Sequence, residues 1–204
     1  PMDMEEMPHM NEEMMDMMRG DEHGGAVFHE ESEVTEGLAV NLNVAPIPVL
    51  AGSSTQLDFF VNDFFQLELN HTKLMHVIGV RSDLSEFFHI HPDPATGTFS
   101  ATHVFSESGA YKIWSEVKKD GITHVFGHPI VEVVGKEYKD NKQVSFGRNV
   151  VVGDYQVSLG LEEPVAKGHE HDLLFEVHTL DGNEVTLENY LGVPMHLAVI
   201  KDDL

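Results

Sequence analysis

The sequence predicts an all-β protein: two immunoglobulin-like antiparallel β-sandwich units in tandem, the second incomplete, preceded by a segment rich in methionine and acid. Three observations predict it. From about residue 37 the chain runs in short segments of alternating apolar and polar residues, parted by Gly, Pro, Asn and Asp, the pattern of half-buried strands joined by turns. Residues 67–84 return at an offset of 120: Leu67, Glu68, Met75, His76, Asp83 and Leu84 reappear as Leu187, Glu188, Met195, His196, Asp203 and Leu204. Eight of the ten methionines fall between Met2 and Met18, so residues 1–36 have a composition of their own.

In residues 1–36, twelve acids face one base, Arg19. Met7, Met10, Met14 and Met17 are spaced for one face of a helix. Three readings stand: a helix docked on a core or partner, a flexible cation-catching tail whose soft thioethers suit Cu(I), and an acidic tail with no role in binding. The first sandwich is expected over residues 37–135. Its strands are 38–44, ended by Pro46 and Pro48, then 55–61, 74–80, 87–91, 98–105, 111–117 and 122–134. The strand at 74–80 is apolar on both faces, which marks a central strand; 93–97 reads as a turn; the last strand should bend at Gly127-His128-Pro129. About seven strands in about 100 residues is immunoglobulin spacing, here without the cysteines.

Residues 136–146 read as a polar linker, and 147–204 as a partial second sandwich with strands at 150–152, 155–161, 173–178 and 195–200. Asp181-Gly182-Asn183 is a hairpin turn signal. The second unit carries no Phe-x-His-x-His-Pro of its own, and the expectation is that either the chain is truncated or its sheet is completed by unit one, the methionine segment or a neighbouring subunit.

Composition excludes several functions. Twelve Lys and Arg against 35 Asp and Glu leave a formal charge of −23, which repels nucleic acid and anionic membrane and attracts cations. With no cysteine there is no disulfide, thiolate zinc site, thiol nucleophile or covalent c-type haem. No apolar run approaches the roughly 20 residues that span a bilayer, so no membrane span is expected. His-Glu-x-x-His, Gly-x-Ser-x-Gly and phosphate-cradling glycine loops are missing, and no enzyme is expected.

The chemistry concentrates in histidine. His89 and His91 are two apart on a strand and therefore share a face; imidazole suits Cu(II), Zn(II) and Ni(II). His76 joins them if its strand pairs with theirs. His124 and His128 share parity on the last strand, His103 is a further candidate, and His169-Glu170-His171 is a pair in a Gly-containing loop. Met75 points away from His76. Asp83 and Asp203 recur before Leu as turn residues; calcium there would lack EF-hand spacing.

Met75-His76, Ser82-Asp83-Leu84, Phe87 to Pro92, Gly97-Thr98-Phe99 and Gly109-Ala110-Tyr111 together resemble exported bacterial immunoglobulin-like proteins of the CopC-like and YtkA-like group. The resemblance covers residues 37–134 and part of 147–204. It implies copper handling outside the cytoplasm, in the periplasm, at the cell surface or after secretion, with His76, His89 and His91 as ligands and His196 as the repeat equivalent of His76. The expectation is thus an exported, non-enzymatic metal-binding protein, with copper as the ion and zinc or calcium as alternatives. The other reading is a structural subunit of a surface or extracellular assembly, forming a homo-oligomer or filament by strand addition to the incomplete second sandwich.

Overall fold

The structure is a computed structural model that describes residues 27–29, 37–136, 147–161, 164–190 and 194–201. The first unit contains β1 (Val27–His29), β2 (Val40–Ala45), β3 (Val49–Leu50), β4 (Ser54–Val61), β5 (Met75–Arg81), β6 (Phe87–Ile90), β7 (Asp93–Ala95), β8 (Thr98–Val104), β9 (Gly109–Lys119), β10 (Ile122–Gly127) and β11 (Val131–Val134). The second contains β12 (Asn149–Val152), β13 (Tyr155–Leu161) and β14 (Leu173–Thr179). The protein is all-β, apart from a 3-10 turn at Phe64–Gln66 among the described residues. The helix read from the methionine spacing falls outside those residues.

Two sheets form the first sandwich. One runs β2-β4-β8-β7. The other is built on the long β9, with β5 and then β6 along one edge. The other edge takes β10 opposite residues 114–119 and β11 opposite 109–111. That split is the bend expected at Gly127-His128-Pro129; Pro129 cannot donate to the ladder, although the His128 N–H still reaches the Ile113 carbonyl at 2.9 Å. β1 and β3 flank β10 and β11 as parallel partners. Neither was expected: each is two or three residues long, too short for any periodic pattern.

Alternation places the core. Thr55, Leu57, Phe59 and Val61 of β4 and Tyr111, Ile113, Ser115 and Val117 of β9 are buried, and the apolar ones join Phe99, Phe105 and Phe126 between the sheets. Burial of these aromatics supplies most of the driving force. Tyr111 donates its hydroxyl to the Glu107 carbonyl at 2.9 Å and to Glu86 at 2.5 Å. A tyrosine tied to backbone a few residues upstream is the corner device of immunoglobulin sandwiches. β5 is buried along both faces, as its sequence predicts: Met75 and Val77 enter the core, while His76 and Ile78 lie on the outer face.

Two expectations differ from the structure. The turn read at 93–97 is itself a hairpin, β7 against β8, closed at Thr96-Gly97 with Gly97 at φ 78°. Residues 195–200 form no strand. Among its described residues the second unit is one antiparallel sheet, β12-β13-β14, with Val150, Val151 and Val152 all more than half exposed.

Two tests follow from the packing. Gly79 lies opposite Phe88 across β5 and β6, and a Cβ at Gly79 would stand 2.0 Å from Phe88 Cζ. Gly79→Ala is expected to lower stability by about 1–3 kcal/mol in urea unfolding, because the ring must leave its place; an unchanged midpoint would show that it moves freely. His128 is buried, bonded to Ser115 Oγ at 2.8 Å and packed on Phe59. Burial, aided by the Lys112 cation, pulls its imidazole down to about 4 from 6.5. Between those values the unfolded chain binds more protons than the folded one, so this contribution is complete above about 6.5 and is lost as the pH falls toward 4. Melting temperatures from pH 7.5 to 4 should fall less steeply for His128→Gln than for wild type (range chosen to bracket the transition); equal slopes would remove His128 as a source.

Candidate metal centre

The centre is built on the outer face of the β5–β6 hairpin. His76 sits on β5 opposite Glu116 of β9, and His89 sits on β6 opposite Ile78. His91 continues the same side just past the end of β6, since residues two apart on a strand share a face. Met75, one residue from His76, is buried in the core on the other face.

The turn before β5 orients His76. Asn70 and Lys73 exchange both backbone hydrogen bonds, at 2.7 and 3.0 Å, around His71 and Thr72. Those two residues take φ 45° and 73°, the left-handed conformations of a two-residue hairpin turn that glycine and asparagine normally occupy. Asn70 Nδ2 donates to Glu116 at 2.7 Å, which ties the turn to β9. The Asn70 carbonyl then accepts a hydrogen bond from His76 Nε2 at 2.8 Å. A carbonyl only accepts, so the His76 proton is on Nε2 and Nδ1 presents a lone pair.

Two more ring nitrogens meet that lone pair. His89 Nε2 and His91 Nε2 each lie 3.2 Å from His76 Nδ1. One lone pair cannot satisfy two imidazole donors well, whereas one cation can accept all three nitrogens. Metal–nitrogen bonds of about 2.0 Å in tetrahedral geometry put ligand atoms about 3.3 Å apart, which the spacing matches. The three ligand atoms all lie within 4.8 Å of one another and can hold one metal ion. Burial lowers the pKa of His76 and His89, and pulls His91 down to about 4, reinforced by the neighbouring histidines. For His76 the Asn70 carbonyl and Glu116 oppose the shift. Neutral imidazole is the ligating form, so the centre rests ready for a cation.

The remaining candidates are elsewhere, with one exception. His124 pairs with His29 of β1, Nδ1 to Nε2 at 3.0 Å, with the rings stacked. His128, on the core side of the bend, does not meet His124. His103 packs against Phe88 and Phe105 at ring-centre distances of 4.0 and 4.7 Å, an apolar setting. His171 accepts the Ala166 N–H within its own loop. The exception is His196, which lines a cavity of about 300 Å³ together with Met195 and with His71, His76 and His89. His71 is outside the expected set; it sits on the turn between Asn70 and Lys73, five residues before His76, and no glycine marks that turn in the sequence.

No curated protein matches the chain. A family model described as a domain of unknown function (DUF8832) matches residues 32–134, half of the chain. That span takes in β2 to β11 and all three converging imidazoles, and the chain belongs to this family.

Proposed function

We propose that the protein is a non-enzymatic copper-binding protein that captures, stores or hands on the ion outside the cytoplasm. The observation that carries this reading is the convergence of His89 and His91 on the lone pair of His76, held by the Asn70 carbonyl. Imidazole suits copper in both common oxidation states, and the methionines between residues 2 and 18 would add soft thioethers for Cu(I). The charge of −23 raises the local concentration of any cation. Zinc would use the same nitrogens and is the competitor; calcium prefers oxygen cages and does not suit three imidazoles. The extracytoplasmic location is supported by the resemblance to exported copper-associated sandwiches.

Titration with Cu(II) and Zn(II), side by side with a His89→Ala/His91→Ala variant, tests the centre. The variant should lose one ion from the stoichiometry, or at least about 100-fold in affinity, at unchanged β-sheet circular dichroism. Equal stoichiometry and affinity in both proteins would sink the proposal.

One observation favours the alternative, a structural subunit completed by a neighbour. Among the described residues β12 pairs only with β13, and its three valines stand exposed. An open apolar edge strand invites strand addition. On that reading the mass measured by sedimentation rises with concentration, and Val151→Lys suppresses the rise; a strict monomer at the highest concentration counts against it.

A further inference from the structure

The repeat brings a second prepared imidazole to the centre. His76 Nε2 donates to the carbonyl of Asn70, six residues earlier, at 2.8 Å; His196 Nε2 donates to the carbonyl of Tyr190, six residues earlier, at 3.0 Å. Asn70 and Tyr190 are themselves related by the offset of 120, so the duplicated loop repeats the bond as well as the histidine. In both copies the proton is fixed on Nε2 and the lone pair on Nδ1.

Residues 194–201 lie across the outer face of the β5–β6 hairpin, where Met195, His196, Leu197 and Ala198 line the cavity above His76 and His89. Because this segment forms no strand, adjacent Met195 and His196 can both turn toward the cavity, unlike Met75 and His76. The His196 ring centre lies 6.0 Å from His89 and 6.3 Å from His76, against 4.7 to 5.4 Å within the triad. Imidazoles around a tetrahedral ion have ring centres about 5 Å apart, so His196 stands about 1 Å outside that distance. Three protein nitrogens leave a tetrahedral ion with one open position.

We propose that His196 fills that position, so that a bound ion clasps residues 194–201 of the second unit onto the first sandwich. The inference rests on the metal centre above and adds that its occupancy controls the junction between the two units. Closing requires a small movement of an exposed segment and no change in either sheet. His71, at 5.1 Å from His196 and on the strained turn, is the competing imidazole.

Zn(II), which is redox-silent, is the probe, applied to the full chain, His196→Ala, His71→Ala and the His89→Ala/His91→Ala variant. His196 lies outside the core, so its removal leaves the fold standing. Wild type should show slower amide exchange over 194–201 when Zn(II) is added. His196→Ala should keep one ion at about 10- to 100-fold lower affinity and lose that protection, while His71→Ala keeps both. Wild-type affinity and protection in His196→Ala, with the double variant still failing to bind, overturns the clasp and leaves the centre intact. Loss of affinity in His71→Ala but not in His196→Ala also overturns it. If the double variant itself binds Zn(II) normally, the centre and the clasp fall together.

Discussion

The register of β5 against β9 is the constraint on which the rest depends. Seven paired positions, from Met75 opposite Val117 to Arg81 opposite Tyr111, set which residues face the core and which face out. A slip of one residue would exchange Met75 and His76, burying an imidazole in the core and exposing the thioether. The same register puts Glu116 opposite His76. Glu116 accepts a hydrogen bond from the Asn70 side chain, Asn70 closes the turn, and the Asn70 carbonyl accepts one from His76 Nε2. One ladder thus determines the strand, the turn and the tautomer. Gly79 guards it from the other edge, since only hydrogen fits beneath Phe88.

The geometry of the centre also depends on where burial falls. The triad sits on an outer sheet face, yet His76 is only 4% exposed, because the turn at 70–73 and residues 194–201 cover it. Desolvation lowers the pKa of its imidazole, and the neighbouring His71 and His196 add to this. The acidic surface works at longer range, drawing cations toward a pocket whose own walls carry little negative charge beyond Glu116. On the proposed metal-binding reading, attraction and selectivity are therefore separate: carboxylates raise the local concentration, and nitrogens choose the ion.

Much of this was legible in the residues. Alternation over 55–61 and 111–117, and the doubly apolar run at 74–80, located the two facing sheets and the central strand. His89-x-His91 was legible because a period of two is rigid. Parity put His124 and His128 on one side, with Phe126 between them, but four strand residues hold them about 13 Å apart, too far to share an ion. His124 instead meets His29, which belongs to a strand of three residues in a segment dominated by acids and methionines. The turn at His71 was hidden for a related reason: without glycine, nothing in its composition announces left-handed backbone.

The repeat shows how a duplicated segment can serve a site outside its own copy. Residues 67–84 return at the offset of 120 as 187–204, and the copy again has a histidine prepared by a backbone carbonyl. One neutral imidazole binds an ion weakly, because chelation by several groups on one scaffold is what removes the entropic cost of assembling ligands. Standing alone, His196 would be an exposed surface group. Laid over His76 and His89, the same side chain acts on a scaffold that has already brought three nitrogens together. The duplicated segment is then best understood through the face it covers. On the clasp proposed above, its duplicated loop supplies a roof and a ligand to the first sandwich, at the one vacant tetrahedral position.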